Sequence, residues 1–372
     1  MLPTLFQWLE EYDQGSDSLR SGQPAFARIR MIVAGFTRCS LRIAVVILLG
    51  TCPGSGKLPI RCKRHEWGEI LSMFFRAKRA LGRAWFDINC RALLRTAPIH
   101  SSDVTLTLVS MLCHGEVVMY LLAVKSFCGQ LGCNPKVVIL DDGSLTKSDY
   151  AILHTHLPDV RIVSLSEVAS DRCPKGSCWE RLLLIGDLVK DSYVVQLDSD
   201  TLTTKSIAEV AQCIDANRSF TLLGDGSYPE IEPMLTACQR YKTNMGTMVQ
   251  AVCERSFDQL PESASLKYVR GNAGFAGFAK GSIVRENIVW FSDLMRRIVG
   301  EQWNEWGSEQ VTSNLLIANS PDAHVLEFPK YLSYWAHAGI AYQDASFIHF
   351  IGPYRFSHGF YVRSAKKILA AL

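Results

Sequence analysis

From Ser101 onward the chain alternates strand-like with helix-like runs, and that alternation leaves few folds open to it. Residues 104–112, 136–140, 160–164, 193–197 and 220–223 are rich in aliphatic and β-branched side chains and read as buried strands. Between them, 117–131, 145–156, 179–190 and 205–216 read as helices. Strand–helix–strand units of this kind form right-handed crossovers. The expectation is an α/β domain with a mostly parallel, Rossmann-like sheet covered on both faces. Residues 229–261 interrupt the pattern and read as a helical or irregular insertion on the acceptor side of a site.

The run Tyr193-Val194-Val195-Gln196-Leu197 ends on Asp198-Ser199-Asp200-Thr201. In open α/β sheets ligands bind beyond the carboxyl ends of the strands, where these carboxylates stand. Side chains alternate along an extended chain, so Asp198 and Asp200 are expected on one side of it. Two converging carboxylates suit a hard divalent cation, which can in turn hold a diphosphate. Phosphatases of the haloacid dehalogenase class also place Asp-x-Asp after a strand, with Thr two residues past the second Asp. Here that place is Leu202, between Thr201 and Thr203. The remaining reading is an acidic turn that caps the next helix.

Charge divides the chain in two. Residues 1–100 hold 15 Lys/Arg and 7 Asp/Glu, a balance of +8; with a net charge of +3 overall, the other 272 carry −5. The expected organisation is therefore a basic, mainly helical amino-terminal region over 1–100 and a catalytic domain over 101–372. In 69–95, Ile70, Phe74, Ala77, Leu81, Trp85, Ile88 and Ala92 recur at helical spacing among arginines and lysines. This reads as a helix packed on the body or lying on anionic lipid. No nucleic-acid recognition module accompanies the charge, so nucleic acid is not an expected partner. Arg38 and Arg42 interrupt the apolar stretch 31–52, leaving a run far short of the ~20 residues a spanning helix needs. Residues 50–57 imitate a phosphate-binding loop but put Leu58 where Ser or Thr belongs, and read as a turn. The 12 cysteines are scattered without metal-ligand spacing, and residues 1–15 lack the basic start of a secretory signal. Both point to a reduced, cytoplasmic setting, with a peripheral membrane contact on the inner face as the variant.

Six segments follow one another in an order that resembles glycosyltransferase family 8, the glycogenin and bacterial galactosyltransferase group. They are Asp141-Asp142-Gly143, Trp179-Glu180-Arg181-Leu182, Asp198-Ser199-Asp200, Gly271-Asn272-Ala273-Gly274-Phe275, Ser308-Glu309-Gln310-Val311-Thr312-Ser313-Asn314, and His349-Phe350-Ile351-Gly352-Pro353-Tyr354-Arg355-Phe356. The resemblance covers about 103–358. It departs from the family pattern at Glu309, Arg355 and Phe356, where the family has Asp, Lys and Pro.

What the resemblance implies is an A-type glycosyltransferase fold and a metal-dependent, configuration-retaining transfer of sugar. The donor would be a nucleotide sugar, a UDP-sugar foremost, and the acceptor a carbohydrate or glycolipid. Asp198, Asp200 and His349 would hold Mn2+ or Mg2+. Arg355 would bind phosphate, and Gly352 would let backbone approach it. Asp141 would border the nucleoside, Arg181 the diphosphate or the sugar, and Asn272 and Gly274 the donor sugar. Gln310 would lie beneath the anomeric carbon with Glu309 beside it, one of them stabilising charge or acting as nucleophile. Trp303 and Trp306 read as core residues or as a platform for an acceptor sugar. A sugar-1-phosphate nucleotidyltransferase shares the sheet and the aspartates but needs a glycine-rich basic loop after the first strand, where 110–116 offers only Gly115. A non-catalytic carbohydrate-binding relative would have no use for the metal residues.

Overall fold

The computed structural model describes residues 64–224, 230–243 and 246–372, with side chains from residue 76. The chain divides into two compact units, residues 1–85 and 86–372. The stretches 31–52 and 50–57 lie outside the described residues. Among the described residues no helix is long and apolar enough to cross a membrane.

Among its described residues the larger unit carries twelve strands: β1 (Asp103–Leu112), β2 (Pro135–Asp141), β3 (Arg161–Ser164), β4 (Tyr193–Leu197), β5 (Thr201–Thr203), β6 (Phe220–Leu223), β7 (Glu232–Pro233), β8 (Lys267–Tyr268), β9 (Gly271–Phe278), β10 (His324–Val325), β11 (Tyr331–Ser333) and β12 (Phe347–His349). Seven form the main sheet in the order β10-β6-β9-β4-β1-β2-β3. Strands β3, β2, β1 and β4 run parallel, as do β6 and β10. The fold is thus α/β with a mostly parallel sheet. Strand β9 alone is reversed, pairing antiparallel with β4 and β6. That reversal matters for the site, because it brings the amino end of β9 to the carboxyl end of β4.

Strand β4 is buried throughout, as its unbroken apolar run demands. The helix Val117–Leu131, buried round most of its circumference, likewise fits only inside a layered domain. Trp179, Phe291 and Trp303 meet edge-on, with ring centroids 5.6 and 5.9 Å apart, inside the main hydrophobic cluster. Segment 229–261, expected to be helical or irregular, includes the helices Met234–Tyr241 and Val249–Glu254. A small sheet, β11-β12-β5, lies beside the main one; there β12 runs antiparallel to β5 and sets His349 opposite Thr201.

One sequence expectation is corrected. The helix expected over 69–95 runs from Arg64 to Cys90 and closes as a 3-10 helix, Arg91–Arg95. Ile88 and Ala92 do not share a buried stripe: Ile88 is 70% exposed, whereas Phe86, Cys90 and Leu93 are buried. Phe86 and Cys90 lie four residues apart in the α-helix, so the buried face already passes beside Ile88; the tighter turn only shortens the next step to three, from Cys90 to Leu93. Phe86 then stacks on Tyr361, ring centroids 4.9 Å apart. The nine described cysteines are all free thiols.

Candidate active site

Strand β4 ends at Leu197, so Asp198 and Asp200 stand in the turn between β4 and β5, not on the strand. The alternation argument therefore does not bring them together. The turn does, closed by Thr201 Oγ1 donating to the Asp198 carbonyl at 2.9 Å. The antiparallel β12 then delivers His349 from the far end of the chain. One ligand atom from each of Asp198, Asp200 and His349 lies within 4.8 Å of the others.

The oxygens of the two aspartates divide their work. Asp198 Oδ1 accepts from Arg181 Nη1, and Asp200 Oδ2 accepts from Arg355 Nη2 at 2.5 Å. The other oxygens, Asp198 Oδ2 and Asp200 Oδ1, face His349 Nε2 at 3.6 and 3.3 Å. An octahedral ion with oxygen ligands at about 2.1 Å spaces neighbouring ligands by roughly 3 Å. Two carboxylate oxygens and one imidazole nitrogen at these separations fit a small divalent cation. Burial pulls the His349 pKa down, but the Asp200 and Asp198 carboxylates outweigh it and hold it above the ordinary value. Burial pushes Asp200 up, and His349 with Arg355 more than reverses that, so its carboxyl stays below the usual range.

Gly274 has a definite reason to lack a side chain. A Cβ there would fall 2.2–2.7 Å from three atoms of the His349 ring. The glycine makes room for the imidazole. Asp198 N donates to Gly274 O at 2.9 Å and fastens the turn to β9.

Each arginine is held by more than its aspartate. Arg355 Nη1 donates to Glu116 Oε1 at 2.8 Å, and Glu116 Oε2 accepts from Ser199 Oγ at 2.5 Å. Arg181, 4% exposed, also reaches Ala273 O at 3.4 Å and lies 3.7 Å from Glu309 Oε1. Burial raises the Glu309 carboxyl to about 7, with Arg181 acting in the opposite sense.

Gln310 sits at the end of a chain of amides. Its Oε1 accepts from Ala273 N at 3.1 Å and its Nε2 donates to Gln250 Oε1 at 3.3 Å. Gln250 Nε2 donates to Glu254 Oε1 at 3.0 Å, and Tyr268 Oη donates to the same oxygen at 3.1 Å. Arg270 Nε lies 3.3 Å from it. A carboxylate can only accept, so Glu254 fixes the orientation of Gln250 and through it that of Gln310.

Asp141 and Asn272 have their polar atoms engaged inside the protein. Asp141 Oδ1 accepts from Gly143 N and Leu145 N, and Oδ2 from Tyr150 Oη at 2.8 Å. Asn272 spends its amide on Gly274 N and Ser333 Oγ. Around Gly352 the space is open, with no heavy atom within 4 Å of where a Cβ would stand. The two tryptophans part company: Trp303 is fully buried and donates to Ser292 Oγ at 3.0 Å, while Trp306 is 67% exposed. Sequence reading passed over Glu116, Gln250 and Glu254. Only Gln196, a polar residue in an apolar strand, carried a visible signal; its Nε2 donates to Ala273 O.

No protein-family model matches the chain, and no curated protein is recognisably similar to it. Several solved glycosyltransferase structures are similar in shape. The WbbM bifunctional glycosyltransferase is 12% identical, with 72% of this chain covered and a TM-score of 0.43; the match spans 52% of WbbM, about half its length. The galactosyltransferase LgtC, solved with donor and acceptor sugar analogues, is 13% identical over 72% of this chain and 96% of its own, TM-score 0.40. GlyE of Streptococcus pneumoniae is 14% identical over 72% and 63%, TM-score 0.44.

Proposed function

We propose that this chain is a metal-dependent glycosyltransferase that moves a sugar from a nucleotide-sugar donor to a carbohydrate or glycolipid acceptor, with retention of anomeric configuration. The observation that carries the reading is the meeting of Asp198, Asp200 and His349 at the carboxyl end of β4, with Arg181 and Arg355 each on one of the aspartates. Breaking the bond between sugar and nucleoside diphosphate puts negative charge on the leaving phosphates. A divalent cation on Asp198, Asp200 and His349 would neutralise that charge as a Lewis acid.

The chain's own residues supply the rest. Arg355 can turn from Asp200 to the phosphates and offer paired, charge-assisted hydrogen bonds while Glu116 keeps hold of it. Arg181 stays buried and keeps Asp198 and Glu309 from repelling each other. Gln310, with its amide held at both ends, is the fixed dipole of the site. Glu309 is buried and close to a cation, which makes it a weak candidate for nucleophile; stabilisation of sugar charge by Gln310 while the acceptor enters from the leaving-group side is the mechanism we favour.

The test is a panel of nucleotide sugars incubated with manganese and no acceptor, scored for release of nucleoside diphosphate. Slow hydrolysis of one donor is expected, UDP-sugars first. If no nucleotide sugar binds or hydrolyses with either manganese or magnesium, the proposal fails. Proton NMR of an early transfer product reads the anomeric coupling, and inversion would remove the proposed role of Gln310.

A further inference from the structure

Glu116 stands one strand over from the aspartates. It closes the 3-10 turn His114–Glu116 beyond the carboxyl end of β1, and the helix Val117–Leu131 starts directly after it. Strand β1 pairs in parallel with β4, so this turn and the Asp198-Ser199-Asp200 turn leave the same edge of the sheet side by side. Glu116 is not one of the three residues that converge on the candidate cation position.

Both oxygens of its carboxylate are nonetheless spent in the site. Oε2 accepts from Ser199 Oγ at 2.5 Å, which fixes the carboxylate to the turn between β4 and β5. Oε1 accepts from Arg355 Nη1 at 2.8 Å, while Arg355 Nη2 donates to Asp200 Oδ2 at 2.5 Å. One cation is thus shared by two carboxylates. The side chains of Asp200, Arg355 and Glu116 are 6, 13 and 23% exposed, enough burial to shield these ion pairs from screening by salt. A guanidinium carries two parallel N–H groups that match the two oxygens of one carboxylate. Arg355 does not close that fork on Asp200, because Nη1 goes to Glu116. The oxygen left out is Asp200 Oδ1, which faces His349 Nε2 at 3.3 Å and is the one placed for a cation.

We infer that Glu116 is a positioning residue for Arg355: by taking Nη1 it stops the guanidinium from occupying both oxygens of Asp200, and so keeps Oδ1 open to a divalent cation. The inference rests on the metal reading above and adds to it a residue that sets metal affinity without being a ligand. Take Glu116 away, and Asp200 is the one carboxylate left to pair with Arg355 among the described residues. The fork then closes there, and an incoming cation has to displace it.

The experiment is the binding of manganese alone to the full chain, with no nucleotide or sugar present, read from the loss of the free-ion signal in electron paramagnetic resonance. Glu116→Gln and Glu116→Ala remove the same charge. The Gln amide, however, can still accept from Arg355 through its oxygen and donate to Ser199 through its nitrogen. Glu116→Ala should therefore weaken manganese binding by roughly tenfold, the scale of one charged hydrogen bond, and Glu116→Gln by clearly less. Glu116 is also the N-cap residue of its helix, so Glu116→Ser, which caps well but cannot reach Arg355, should repeat the Ala result in a chain whose helix start is kept. In the Arg355→Ala chain there is no fork to close, and Gln, Ala and Ser should have equal effects. Equal weakening by all three with Arg355 present would mean that Glu116 acts by its charge alone. A gap that persists in the Arg355→Ala chain would mean that it acts through Ser199. Either result, or parental affinity in every Glu116 variant, overturns the inference and leaves the metal trio standing. A parent chain that binds no manganese removes the trio itself, and both the proposed function and this inference with it.

Discussion

The two sides of the candidate site are held together by different chemistry. On the metal side, two carboxylates, an imidazole and two arginines balance one another as ions: Arg181 on Asp198, Arg355 on Asp200, His349 facing both. On the Gln310 side the contacts are neutral amides in series, anchored on the buried Glu254. Ion pairs exchange partners readily, because a cation or a phosphate can take the place of a side chain at little net change in charge. Amides locked in series do not. Under the proposed function the metal side would swap its counter-ions on loading, and the Gln310 side would stay where folding left it. Substitutions on the first side should act on binding and charge, and those on the second on turnover alone.

The largest effect is expected at Asp200. Asp200→Asn removes a ligand to the proposed cation and half of the Arg355 pairing. A divalent cation contributes several kcal/mol to charge stabilisation, so turnover should fall by roughly 10³-fold and manganese should no longer strengthen UDP binding. Calorimetric titration of UDP with and without manganese is the check. Equal manganese dependence in variant and parent would dissolve the contrast between the two sides.

Arg355 comes next. Arg355→Ala should slow turnover by roughly 10²–10³-fold, the scale for losing a charged donor at a developing anion. Arg355→Lys should fall between, since Lys keeps the charge without the planar fork. Steady-state rates of both variants decide it, and near-parental rates would return Arg355 to the structural ion pair with Glu116.

From sequence, Asp198, Asp200, His349, Arg355 and Gln310 are singled out, whereas Glu116, Gln250 and Glu254 are not. Asp198 and Asp200 stand out because carboxylates seldom follow a buried strand without reason, and the strands themselves announce their ends. Yet the physical cause of convergence, a turn closed by Thr201 and a glycine that vacates space for His349, needed coordinates. Strands β5, β11 and β12 have three residues each, too short for any period to show. Strand β9 is glycine- and alanine-rich, and nothing local marks its direction. Glu116, Gln250 and Glu254 lie on or beside helices, where a polar residue is ordinary until tertiary contacts give it a partner. Asp141 and Asn272 show the converse: residues that looked available have their polar atoms occupied by nearby backbone and side chains.

Between the two sides lies Glu309, and it predicts a dependence on pH. Its carboxyl is raised from 4.5 to about 7, chiefly by burial. The folded state therefore holds this proton over a range in which the unfolded chain has lost it. The resulting stability is fully present below about 4.5 and is lost as pH rises through about 7. At 1.36 kcal/mol per pKa unit the loss comes to roughly 3 kcal/mol. Denaturant midpoints of the chelated protein across this range should show it, and Glu309→Gln should flatten the slope. A slope unchanged by that substitution would mean that other carboxyl groups govern it.

The smallest predicted effect bears most directly on the comparison. Glu254→Gln keeps the size of the buried side chain but gives it a donor. The new amide can then donate to Gln250, which is free to turn over and present its own amide nitrogen to Gln310. Gln310 would lose the single orientation that Ala273 N–H and Gln250 now impose, and part of its population would point the wrong end of its dipole into the site. Losing one such hydrogen-bond preference costs about 1–1.5 kcal/mol, or roughly tenfold in kcat. UDP affinity should not move, because no phosphate contact is touched. That split separates orientation from general loosening: a variant that merely destabilises the insertion should weaken donor binding and lower the melting temperature along with kcat. Parental kcat in Glu254→Gln, beside a strong defect in Gln310→Ala, would show that Gln310 keeps its orientation without the chain of amides, and would leave the metal side as the only part of the site whose geometry is set by its neighbours' charge.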